Sequence, residues 1–100
     1  MATIFLGCDH DLTATATDSA GTPLTAATVT WTLYNAAGTS LGTGTLAHTS
    51  GGVYTGVIES STFSSQTAGA LGQLRTTLVQ GDYDDHRRER VVFQYRPLAG

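Results

Sequence analysis

Apolar and polar side chains alternate with a period of two along most of the chain. In "ATVTWTLY", Val29, Trp31 and Leu33 fall on one parity, and Thr28, Thr30, Thr32 and Tyr34 on the other. That alternation predicts a half-buried strand with an apolar inner face and a hydroxyl-rich outer face. "DLTATATD" repeats it, with Leu12, Ala14 and Ala16 against Thr13, Thr15 and Thr17. "QLRTTLVQ" sets Leu74, Thr76 and Leu78 against Arg75, Thr77 and Val79. "RERVVFQY" sets Glu89, Val91, Phe93 and Tyr95 against Arg88, Arg90, Val92 and Gln94. "GVYTGVIE" predicts a strand from Val53 to Glu59, but both of its parities carry apolar residues. "TIFLGC" predicts a first strand, and "TSLGTGTLAH" a glycine-interrupted one, bulged or on a sheet edge. No window of about 11 residues keeps a helical period.

The punctuation between these runs agrees. "DSAGT" (Asp18 to Thr22) and "NAAGT" (Asn35 to Thr39) share one pattern. An Asp or Asn opens the turn, its side chain bonding to backbone two residues on, and a Gly three residues later takes positive φ. "SGG" (Ser50 to Gly52) closes a further hairpin, and "QGDYDDHR" a longer one with its tip at Gly81 to His86. Residues 60–72 fit no strand and read as a crossover between sheets with one helical turn. About seven short strands, with turn signals about every 8–12 residues, predict an all-β fold. The expected form is an antiparallel immunoglobulin-like β-sandwich filling residues 1–100 as a single domain.

Composition supports strands and narrows function. Thr occurs eighteen times and Gly twelve, while Glu occurs twice and Lys never. Formers of exposed helical surface are therefore scarce, and Thr favours pleated surfaces. The net charge of −3 argues against general nucleic-acid binding, which needs phosphate neutralisation. The single Cys8 excludes an internal disulfide. "MATIFLGCDH" lacks the basic and long apolar parts of a signal peptide, and no apolar run reaches the length of a membrane helix. The expectation is a protein made and folded in a cytoplasm, with no membrane and no nucleic-acid partner.

Candidate chemistry is sparse. "CDHD" (Cys8 to Asp11) has ligand-type atoms, but His48 and His86 lie far away with no paired ligand, so no metal site is expected. Cys8 reads as an inert thiol, no G-x-S-x-G elbow occurs, and no lysine follows the glycine-rich stretches. No catalytic residue, cofactor or enzyme activity is expected. Trp31 sits on the inner parity and reads as core, while Tyr34 and Tyr54 are candidates for an outward aromatic surface. The outer Thr residues read as solvent-facing β-formers.

The one concentrated feature is "GDYDDHRRER" (Gly81 to Arg90), with seven of the chain's thirteen charged residues. By parity Arg88, Arg90 and Arg96 share a face, with Arg88 and Arg90 about 7 Å apart. Arg75 joins them if the last two strands pair. The reading is a basic sheet face on an acidic protein, with an acidic hairpin tip at one end. Its partner-binding candidates are Arg75, Asp84, Asp85, Arg87, Arg88, Arg90 and Arg96. Arginine suits this role because its fork pairs bidentately with carboxylates and it is enriched at interfaces.

"VTWTLYNAAGTSLGTGTLAHTSGGVYTGVI" (Val29 to Ile58) resembles the small immunoglobulin-like β-sandwich proteins encoded among structural genes of tailed bacteriophages. The shared order is a W-x-L-Y strand, an Asx-x-x-Gly turn, a Gly-Thr strand and a G-G-x-Y-x-G-x-I hairpin. Surface-protein and carboxypeptidase-regulatory-like modules of bacteria carry similar patterns. Adhesin modules come in exported arrays, whereas this chain reads as a lone domain starting at its own Met1. The resemblance therefore implies a non-enzymatic virion protein of a phage or prophage, assembled in the bacterial host cytoplasm. Capsid decoration (cement) or head–tail attachment is the expected role, through contacts with other virion proteins or with further copies of itself. The alternative is a carbohydrate- or surface-binding module.

Overall fold

The computed structural model describes residues 2–95. Seven strands form in chain order: β1 (Ala2–Phe5), β2 (His10–Thr15), β3 (Thr28–Asn35), β4 (Ser40–Ser50), β5 (Val53–Ile58), β6 (Leu71–Gln80) and β7 (Tyr83–Gln94). The fold is all-β, and a single 3-10 turn at Ser60–Phe63 is the only helical element among the described residues. The strands make one sheet in the order β1-β7-β6-β3-β4-β5-β2. Pairing is antiparallel except between β1 and β7, which run parallel. An antiparallel arrangement throughout was expected, but alternation carries no information on strand direction.

The predicted parities hold through the strand centres, while Glu89 and Tyr95, on the same parity as Val91 and Phe93, are exposed. Val29, Trp31 and Leu33 of β3, Leu12 and Ala14 of β2, Leu74 and Leu78 of β6, and Val91 and Phe93 of β7 are all buried in one core. The two Asx turns close as their residues predict. Asp18 Oδ1 accepts from the Ala20 and Thr22 amides, and Asn35 Oδ1 from those of Ala37 and Thr39, at 2.9–3.0 Å. The crossover leaves β5 at Ile58, makes its 3-10 turn, buries Phe63 fully and enters β6.

β4 is the element that shapes the sheet. Ser40 to Leu46 pairs with β3, and Ala47 to Ser50 with β5, so β4 joins the two halves. It is therefore an interior strand: of the two forms expected for it, the edge position does not hold, and the bulged form fits its register shifts. Register shifts at Leu33/Tyr34 and His48/Ser50 accompany the bend, as bulges do where strands turn corners. Its glycines lie opposite inward-facing residues of β3: Gly44 opposite Trp31 and Gly42 opposite Leu33. A Cβ on Gly44 would stand 2.6 Å from Trp31 Nε1, so only glycine lets the indole lie across the strand.

The sheet curls until β2 and β7 approach one another. β1 covers β7 only over Val91 to Gln94, leaving the charged part of β7 with β6 on one side and a seam toward β2 on the other. Arg87 Nη2 crosses that seam and donates to the Thr15 carbonyl at 2.8 Å.

The β4 geometry generates a prediction. Gly44→Ala should cost about 2 kcal/mol, because the methyl group must displace a core indole. Gly42→Ala should cost less, since the atom in its way is the Thr62 methyl on a half-exposed turn. Urea denaturation midpoints of the two variants give the comparison.

Candidate partner-binding face

The outer face of β3, β6 and β7 is built by register. Thr32 lies opposite Arg75, and Arg75 opposite Arg88, giving one row across three strands. The next row is Tyr34, Gln73 and Arg90. Arg75 stacks over the Tyr34 ring with its Cζ 4.7 Å from the centroid, and its Nε donates to Gln73 Oε1 at 2.7 Å. These two contacts hold the Arg75 guanidinium flat against the sheet, a favourable cation–π geometry. Arg75, Arg88 and Arg90 are exposed, and none has a carboxylate partner among the described residues.

This arrangement works against stability. Like charges directly opposite across two strands are destabilising. Glu89, between Arg88 and Arg90, lies on the other parity, opposite Leu74. The next two carboxylates along β7 are engaged elsewhere. Asp84 pairs with His86 at 3.0 Å toward the hairpin end of the same face. Asp85 lies on the other parity and accepts from Arg87 Nε at 2.8 Å and from the Tyr83 hydroxyl at 3.3 Å. The face thus runs from the Asp84–His86 contact at the hairpin end to three guanidinium groups without a carboxylate partner among the described residues.

The expected site residues consequently divide. Arg75, Arg88 and Arg90 come together with Tyr34, and Asp84 sits on the same face farther along β7. Asp85 and Arg87 face the seam, where they tie β7 to β2. Arg96 lies outside the described residues. The expected six-residue loop at Gly81 to His86 is a tight turn instead, since β6 ends at Gln80 and β7 begins at Tyr83. The run of charges resembles a loop in composition. Yet an outward face and an open seam let both parities of a strand stay polar.

Two further expectations change. Tyr54 is not an outward aromatic: it is 1 % exposed. Its hydroxyl donates to the Leu24 carbonyl at 2.7 Å and accepts from the Ala27 amide at 2.8 Å. Satisfying both functions of the phenol makes burial tolerable, and two apolar parities in this strand concealed the choice. Tyr34 does face outward, but its ring is already covered by Arg75. The "CDHD" segment follows the turn at Leu6 and Gly7 and runs into β2, of which His10 and Asp11 are the first residues, while Asp9 Oδ1 accepts from the Ser60 amide at 2.9 Å. No cluster of three or more His, Cys, Asp or Glu side chains that could hold a metal occurs among the described residues. No helix in them is long and apolar enough to cross a membrane.

His10 lies at the start of β2, and partial burial holds it below its ordinary value of 6.5, against the opposing pull of Asp11 and Glu89. A folded value below the unfolded one gives stability that is complete above about pH 6.5 and declines as pH falls through that value. Stability should therefore drop on acidification from about pH 7 to about pH 5, and His10→Gln should flatten that drop, as read by thermal denaturation across pH.

The two adjacent arginines should behave differently. Arg87→Ala removes the seam bond and should cost about 1 kcal/mol. Arg88→Ala should be neutral or slightly stabilising, because it relieves the repulsion from Arg75. Chemical denaturation of both variants in the same buffer checks this.

Comparison of the chain with protein-family models, with curated proteins and with solved structures found no match, so its functional reading rests on the geometry above.

Proposed function

We propose that this protein is a non-enzymatic structural component of a tailed-phage or prophage virion, and that its curled sheet is an immunoglobulin-like sandwich. Its role is capsid decoration or cement, or attachment at the head–tail junction. It binds neighbouring virion subunits through the face bearing Arg75, Arg88 and Arg90.

The observation that carries this reading is the absence of compensation on that face. An acidic chain of net charge −3 gathers three of its five arginines on one sheet surface and gives them no carboxylate among the described residues. Two of the three stand directly opposite each other. A surface that is stable for its own sake would place opposite charges there. A surface that meets an acidic partner repeatedly gains from the excess, because guanidinium–carboxylate pairs are directional and steer association. On a symmetric particle many such contacts add through avidity.

The test is co-sedimentation of purified protein with heads and with tails of the encoding phage that lack it. Retention on one of the two is the expected result, weakening as salt is raised. Arg88→Ala combined with Arg90→Ala should leave stability within about 1 kcal/mol of the parent, yet abolish retention. Failure of the parent protein to bind either particle would reject the reading.

A further inference from the structure

The basic face has a cleft at one end. Its volume is about 300 Å³, and it lies between the Asn35–Gly38 turn and the start of β6. Tyr34 and Leu71 give it apolar surface, and Arg75 and Arg90 line it with positive charge. Leu71 is 51 % exposed, high for a leucine on a strand, and stands opposite Val92 on the outer parity. The wall formed by the turn is firm. The Asn35 side chain holds two amides, its carbonyl accepts from the Gly38 amide at 3.0 Å, and Gly38 adopts φ +84.

We infer that this cleft seats one aliphatic side chain of an acidic protein segment, while Arg75 and Arg90 bind the carboxylates that flank it. The inference rests on the reading above that the arginine face meets an acidic protein partner, and it adds the feature that selects among such partners. Charge alone discriminates poorly, since any acidic surface satisfies it. A preformed apolar recess beside the charges adds shape to the match. The volume lies at the lower limit of small-molecule sites and has room for a single side chain with its adjoining backbone. A protein segment fits better than a nucleic acid, because three arginines on an acidic chain neutralise few phosphates, and a base has no site built for its edge. The stacked Arg75 is pre-positioned by Tyr34 and Gln73, so binding need not freeze a mobile side chain.

The experiment uses nitrogen-15-labelled full-length protein titrated with three probes at low salt. They are the peptide Gly-Asp-Glu-Leu-Asp-Glu-Gly, the same peptide with Ser in place of Leu, and an oligothymidylate of equal charge. Amide shifts from the leucine peptide should centre on Tyr34, the Asn35–Gly38 turn, Leu71 and Gln73. The serine peptide should bind roughly tenfold more weakly, as expected for losing one buried aliphatic group. Leu71→Ser should remove that difference between peptides, and Arg90→Ala should weaken both several-fold. Equal affinity for the two peptides would overturn the cleft while leaving the basic face intact. Binding of neither peptide would overturn the cleft and the acidic-partner reading together. Tighter binding of the oligothymidylate would reject a protein segment as the occupant.

Discussion

The contact of Trp31 with Gly44 is the constraint on which the sheet depends. The indole needs a neighbouring strand without a side chain at the opposite position, and β4 supplies it. β4 pairs beside β3 as far as Leu46, then bends into pairing with β5. One strand thereby belongs to both halves, and the core closes between them around Trp31, Phe63 and Phe93. The same bend brings β2 around toward β7, where Arg87 bridges the remaining seam. The outer surface of β3, β6 and β7 is left facing away from the core. That is the surface on which the arginines are displayed.

Much of the fold was legible in the alternation of residues. Period two correctly assigned the inner faces of β2, β3, β6 and β7, and the two Asx-x-x-Gly turns formed with the predicted side-chain bonds. The failures have common physical causes. β4 read as bulged or as an edge because its glycines interrupt the run; its pairings do shift register, but the strand is interior, and Gly44 is the small half of a pair with Trp31. Tyr54 was ambiguous because a phenol suits solvent or core equally until its hydroxyl partners are known, and those lie in the loop at Leu24 to Ala27. The parallel pairing of β1 with β7, and the continuity of the sheet, depend on contacts between distant segments that a local period does not encode.

The candidate site was half legible. Parity placed Arg88 and Arg90 outward and put Arg75 beside them once β6 and β7 paired. It did not separate the clamp at Asp85 and Arg87 from the open arginines, because that distinction depends on how close β2 comes. Neither the Tyr34–Arg75 stack nor the cleft at Leu71 left a sequence signal beyond a tyrosine and a leucine at plausible parity. The physical content of the site lies in an imbalance. Asp84 and Asp85 stand a few residues away on the same strand, and the fold gives one to His86 and the other to the seam.

The central claim is that this face carries electrostatic strain which the protein itself does not relieve. A double-mutant cycle between Arg75 and Arg88, each replaced by Thr, measures that strain directly through unfolding free energies. The account predicts a repulsive coupling of about 0.2–1 kcal/mol at low ionic strength, shrinking as salt is added. A coupling of zero or of attractive sign at low salt would contradict it, showing that the two guanidinium groups are already accommodated within the fold.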